Sequence, residues 1–261
     1  MASKVIEKLA ETYQVLYLDP NATEQEEYEK VLLKGQPAPA TDLGHFIGDD
    51  RDVHDTVDTP AGPVEVITLY NRSDFEVFVR CMMAAKDGPK RQVPKTTGAS
   101  TLVTFNWDKI RANRDDYKET IIVLSVGPYS NVPAEEVGLE PDEWAEKSYL
   151  IRKFHECNHF ICRKLFPDQI EAVWDELVAD AIGICGAYGY FDPELELKFL
   201  GIKDCKYVGG RLENYTEITD ELVGKVVEVM EEFDDIIKIY EGLEPFDLIP
   251  ILEETQGDLW G

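Results

Sequence analysis

Between Pro141 and Phe166 the chain runs PDEWAEKSYLIRKFHECNHFICRKLF, with no further proline until Pro167. A breaker-free run of this length reads as one long helix or two abutting ones, which need other elements to cover their apolar positions. PDQIEAVWDELVADAIGICGAYG follows as a second helix, entered through Pro167 and left through glycines. TDELVGKVVEVMEEFDDIIKIYEG adds an amphipathic helix whose Val/Met/Phe/Ile stripe is core. Everything after about Pro133 is therefore expected to be mainly helical.

The first half reads differently. Helices are expected over Ser3–Tyr13, over TEQEEYEKVLLKG (capped by Thr23 and stopped at Gly35), and over SDFEVFVRCMMAAKDG, with Ser73 or Asp74 at its start and Gly88 past its end. PVEVITLY alternates as a strand does, and STLVTFNW and ETIIVLSVGPY are β-branched runs bounded by turn residues. QPAPATDLGHFIGDDRDVHDTVDTPAG, rich in Pro, Gly and Asp, reads as loop. The expectation is an α+β protein: an N-terminal lobe over 1–133 with a small mixed sheet and helices, and a mainly helical lobe over 134–261, two lobes of one unit. No internal repeat or low-complexity tract is visible.

The formal charge is −26, from 52 acidic against 26 basic residues. Such a chain repels phosphate backbones, which argues against nucleic acid as a partner. No stretch approaches eighteen uninterrupted apolar residues, so no membrane span is expected. The N-terminal MASKVIEKLAETYQVLYLD has no apolar core behind a basic start, so no secretory signal is expected. Five cysteines without framework spacing read as reduced thiols, and the chain as a cytoplasmic protein.

The chemistry concentrates in the long helix. FHECNHFICRKLF holds two of the four histidines, His155 and His159, with Glu156 directly after the first. Residues i and i+4 lie on one helix face a turn apart, so both imidazoles can be directed at one point. Glu156 lies 100° round the helix, where a carboxylate can accept a proton from a metal-activated water without binding the metal. Zinc held by three protein ligands keeps a fourth position for that water. The residues around the ligands (Cys157, Asn158, Phe160, Ile161) are uncharged, as a buried ligand-bearing helix requires.

A short connection over Leu165–Gln169 makes the next helix an antiparallel neighbour. Counting outward from Pro167, residues near 175–179 face residues near 159–155. Glu176 then falls between the levels of the two histidines. Asp180 shares its face one turn on, near the level of His155. Asp175 is 100° off this line and is expected to point aside.

His155-Glu156-x-x-His159 followed by Glu176-x-x-Ala179-Asp180 resembles the gluzincin clan of zinc metallopeptidases over roughly residues 148–185. The resemblance implies His155, His159 and Glu176 as ligands of one zinc ion per chain. It further implies Glu156 as general base, Asp180 as support for a histidine, and a zincin-like fold with the metal site in a cleft. Sixteen residues separate His159 from Glu176, somewhat fewer than in thermolysin-like members. Cys162 and Leu165 stand where the metzincin pattern has its glycine and third histidine, which excludes that pattern.

Such a peptidase also needs a donor for the developing oxyanion. No histidine follows His159, so Tyr188, Tyr190, Tyr207 and Arg211 are the downstream candidates for oxyanion or substrate contact. His45 and His54 read as exposed loop histidines, TIIVLSV as a core strand with the alternative of an edge for an extended peptide, and Cys157 as a small buried residue. The expected function is a zinc-dependent hydrolase acting on a peptide or protein substrate. The alternatives are a non-catalytic zinc-binding or sensor protein, and an interaction protein with a vestigial motif.

Overall fold

The computed structural model describes residues 1–12, 29–36, 43–87, 93–104 and 119–260. They divide into two compact units, one of residues 1–57 with 64–126, the other of residues 58–63 with 127–261. The architecture is mixed α+β.

In the first unit, α1 (Lys4–Thr12) buries Ile6 and Leu9. Strands β1 (Val53–Val57) and β2 (Val64–Leu69) precede α2 (Arg72–Asp87), and β3 (Ala99–Thr104) and β4 (Glu119–Ser125) follow it. The sheet order is β1-β2-β4-β3, with β2 and β4 parallel at the centre and antiparallel partners on either side. Central strands are covered on both faces, so β2 and β4 read as near-continuous apolar runs. Ile67, Leu69, Ile121 and Val123 share a core with Ile6, Leu9, Phe75 and Phe78. Because β4 is paired on both sides, it has no edge to offer a peptide.

The segment expected to be loop is more ordered than its composition suggests. VHDTV forms β1, and Leu43–His45 forms a 3-10 turn. β1 is an edge strand carrying His, Asp and Thr, and such a strand needs no apolar alternation. Its His54 pairs with Glu65 of β2. The Asp74 carboxylate accepts from the Ile47 and Gly48 amides at 2.8 and 2.7 Å. Gly48 has φ +83°, and a Cβ there would lie 2.1 Å from the Met1 carbonyl oxygen, so only glycine fits. Of the helix expected over 23–35, the described part is a π-helical turn, Glu29–Leu33. Residues 23–28 lie outside the described residues, as do Tyr13, Gly88, 37–42 and 105–107.

The second unit is built on α4 (Pro141–Leu165) and α5 (Ala172–Tyr188), preceded by the short α3 (Ala134–Val137). The long run is one continuous helix through both histidines. α5 does not begin at Pro167: Phe166–Ile170 is turn, and the Glu171 side chain caps the helix by accepting from the Val173 and Trp174 amides at 3.1 and 2.8 Å. Gly183 and Gly186 lie inside α5, which ends at Gly189 in the left-handed conformation. A Cβ on Gly183 would lie 2.8 Å from the Ile151 carbonyl oxygen, and one on Gly186 would lie 2.3 Å from the Phe154 ring. These glycines let the two helices pack closely at Ile151 and Phe154, within about a turn of His155.

After α5 come α6 (Pro193–Leu200), the hairpin of β5 (Ile202–Lys203) and β6 (Lys206–Tyr207), α7 (Asp220–Ile239), α8 (Ile249–Glu254) and α9 (Gln256–Leu259). Thr219 caps α7 by accepting from the Leu222 amide at 3.1 Å. Val223, Val226, Met230, Phe233 and Ile237 form its buried stripe, with Phe233 edge-on to Trp174 at 5.2 Å. Among the described residues no helix is long and apolar enough to cross a membrane, and Cys157, Cys162, Cys185 and Cys205 are unbridged.

Candidate metal centre

α4 and α5 run antiparallel, and their register sets the site. His159 meets Asp175, and His155 meets Asp180 one turn further along. His155 Nε2 and His159 Nε2 lie 3.0 Å apart. The Glu176 carboxylate stands 3.5 Å from each, through Oε2 to His155 and Oε1 to His159. One donor atom from each of the three residues lies within 4.8 Å of the others, so the group can hold a metal ion. Ligands bound tetrahedrally at about 2.0–2.1 Å are about 3.3 Å apart, and the three separations bracket that value. Glu176 Oε2 is buried without a hydrogen-bond partner, a carboxylate oxygen that a cation would satisfy.

Each histidine is anchored through its other nitrogen. Asp180, fully buried, lies 2.8 Å from His155 Nδ1 through Oδ1. With the proton on Nδ1, the Nε2 lone pair faces the cluster. Asp180 Oδ1 also accepts from the Tyr129 hydroxyl at 2.7 Å, and its Oδ2 accepts from Arg211 Nη2. Burial opposes charge on Asp180, but Arg211 and His155 outweigh it and hold the carboxyl well below the usual range. Arg211 Nη1 donates to the Tyr129 hydroxyl at 2.7 Å. The same buried hydroxyl lies 2.9 Å from His155 Nδ1, and burial pushes it well above the ordinary phenol value.

Asp175 does not point aside. It turns away from the Nε2 cluster but onto the far side of His159, with Oδ2 2.9 Å from Nδ1, close enough to pair though off the line of a well-formed hydrogen bond. At the close approach of α4 and α5, a residue 100° round from Glu176 still faces the partner helix. Burial disfavours a charged His159, yet Asp175, Glu176 and Glu156 together raise it from 6.5 to about 9. Glu156 is half-buried on α4, and its charge is felt at His159.

Of the downstream donors read from the sequence, Arg211 reaches the cluster, with Nη2 3.9 Å from Glu176 Oε2. Tyr207 braces the turn that delivers it: its hydroxyl donates to the Gly210 carbonyl and accepts from the Gly210 amide, both at 2.9 Å. Tyr188 packs against Tyr190 at 5.8 Å and under the Lys147 ammonium at 4.7 Å. Tyr190 is exposed, as is His45 on its 3-10 turn.

Two residues of the cluster were not legible beforehand. Tyr129 follows the sheet and is fixed by its amide, which donates to Ser148 Oγ at 3.0 Å. Tyr215 stands against Glu176 and Arg211, its hydroxyl pushed up by burial. No local pattern marks either one, because each is brought to the helices by chain that folds back from far away.

Fold and site thus define an α+β protein with a buried two-histidine, one-carboxylate group able to hold a metal ion. The chain belongs to a family of unknown function (DUF7005), whose profile matches residues 18–120 and 110–248. No curated protein and no solved structure matches it.

Proposed function

We propose that the protein is a zinc-dependent hydrolase with a zincin-like centre, a metallopeptidase acting on a peptide or amide carbonyl. The observation that carries this reading is the convergence of His155 Nε2, His159 Nε2 and the Glu176 carboxylate on one point, with Glu156 on the same helix turn. Two nitrogens and one carboxylate suit zinc and leave a coordination position open. Bound there, zinc supplies a Lewis acid that polarises a carbonyl and acidifies a water.

The chain's own residues supply the rest. Glu156 accepts the proton of the attacking water and passes it to the leaving amine. Asp180 and Asp175 hold the two imidazoles through Nδ1, fixing the direction of each Nε2. Arg211 and Tyr215, both beside Glu176, are the donors we assign to the negative charge that develops on the substrate oxygen.

The test is mass-spectrometric detection of cleavage in a mixed peptide library. Cleavage is expected with the zinc-loaded protein, abolished by chelation, and lowered at least about 10²-fold in Glu156→Gln. Cleavage that survives both treatments contradicts the reading.

A further inference from the structure

Behind His159, on the side away from the Nε2 cluster, lies a second group of buried polar side chains. Asp175 meets His159 through Oδ2 only, and its Oδ1 is buried with no direct partner among the described residues. Asn158 is fully buried, and both of its amide atoms lack a direct partner. The indole Nε1 of Trp174 is buried too, and reaches Glu253 only off the line of a well-formed hydrogen bond. Glu253, 4% exposed, comes from α8, nearly a hundred residues further along the chain. Its Oε1 accepts from the Cys162 thiol at 3.4 Å.

These groups are neighbours. Cys162 lies within pairing reach of the Asn158 side chain and Glu253 within pairing reach of Trp174, both off the line of a well-formed hydrogen bond, and both Cys162 and Glu253 feel the charge of Asp175. Nearly all buried polar groups in proteins have a partner, direct or through water. An orphan costs about 1–3 kcal/mol. Here the donors (Asn158 Nδ2–H, Trp174 Nε1–H) make only poorly aligned contacts and the acceptor Asp175 Oδ1 makes none, the arrangement that a buried water with about three hydrogen bonds completes.

We infer that Glu253 is a positioning residue of the metal centre: with Asn158 and Trp174 it forms a water-bridged relay behind Asp175 that holds His159 Nδ1. The inference rests on the metal-binding reading above and adds to it a contribution from the C-terminal helix. Burial, reinforced by Asp175, pushes the Glu253 carboxyl up to about 7. His155 does not depend on the relay, because Tyr129 and Arg211 bond Asp180 directly.

The test uses the full chain as wild type, Glu253→Leu, Glu253→Gln and Asn158→Leu. Three quantities are read: zinc affinity by chelator competition, melting temperature, and the imidazole ¹⁵N–¹H spectrum of the metal-free protein. Glu253→Leu is expected to weaken zinc about 10–100-fold and to lower the melting temperature, since it leaves the Cys162 thiol and the Trp174 indole without their acceptor. It should move the His159 ring signals and leave those of His155 in place. Glu253→Gln, which keeps a donor, stays close to wild type. Asn158→Leu reads the same relay from α4 if Glu253→Leu does not fold. Folded Glu253→Leu with wild-type zinc affinity and unmoved His159 signals overturns the inference. If the wild type takes up no zinc, the metal reading fails, and the spectra still decide: a shift confined to His159 upholds the relay, and no shift rejects it.

Discussion

His155 and His159 present their Nε2 atoms to each other at 3.0 Å, each ring held from behind by a different aspartate of the neighbouring helix. Two lone pairs so placed repel unless a proton or a metal ion lies between them. In the metal-free protein a ring proton fills that place. The acidic surroundings of His159 keep it protonated up to about 9.

Zinc taken up on the proposed reading would compete with this proton. Since the folded-state value is raised, the charged ring persists through neutral pH and gives way only as pH climbs through about 9. Apparent zinc affinity should rise about tenfold per pH unit for each displaced proton, over the range below that value. Calorimetry in buffers of different ionisation heat at neutral pH should show about one proton released from His159 per zinc bound. Affinity independent of pH across this range contradicts the account.

The carboxylates of α5 have different tasks, and substitutions should separate them. Glu176→Ala should let the metal go under mild chelation, because it removes a donor at 3.5 Å from both nitrogens. Asp180→Asn should loosen the metal about 10–100-fold without releasing it. Asp180→Ala should in addition lower stability, since it strips the half-buried Arg211 of its counter-ion. A chelator titration with parallel thermal melts reads all three. Equal metal loss in Glu176→Ala and Asp180→Asn would show that the ligand assignment is wrong.

How much of this the chain announces depends on whether the signal is local. His155, Glu156 and His159 sit within one helical turn, so periodicity alone places them. Glu176 and Asp180 follow from a short connection, although α5 starts at Ala172 rather than Pro167. The count survives because the facing register, not the first residue of the helix, sets the level. Asp175 was misplaced because helical-wheel angles treat the partner helix as distant, whereas its carboxylate reaches His159 across the interface at 2.9 Å. Tyr129, Tyr215 and Glu253 arrive from separate segments, with nothing nearby in the sequence to mark them. β1 was hidden by its polar edge composition, while the doubly covered β2 and β4 were plain.

The close approach of α4 and α5 can be tested on its own. Gly183→Leu places side-chain atoms where the Ile151 carbonyl oxygen lies, within 2.8 Å of the first added carbon. Better helix propensity contributes about 1 kcal/mol in favour, and overpacking costs about 1–3 kcal/mol or more. A net loss of stability is expected in chemical denaturation, together with weaker zinc binding as the helices part. A variant as stable as wild type, with unchanged affinity, contradicts this packing account.

Glu196 on α6 is fully buried, with neither carboxylate oxygen partnered among the described residues. Burial, reinforced by Asp180 and opposed by Arg211, pushes its carboxyl well above 4.5. A raised carboxyl contributes stability that is fully present below the unfolded value and is lost as pH rises through the folded one. Glu196→Gln removes that loss. Its melting temperature relative to wild type should therefore rise with pH above about 4.5, the ordinary glutamate range. A difference that stays flat or falls with rising pH rules this out.

The most direct test of the central claim is elemental analysis of the purified full chain, as isolated and after chelation and reloading, beside His155→Ala and His159→Ala. About one zinc per chain is expected, lost on chelation, restored on reloading, and missing from both variants. A folded wild-type protein that carries no zinc and takes up none when it is offered contradicts the account.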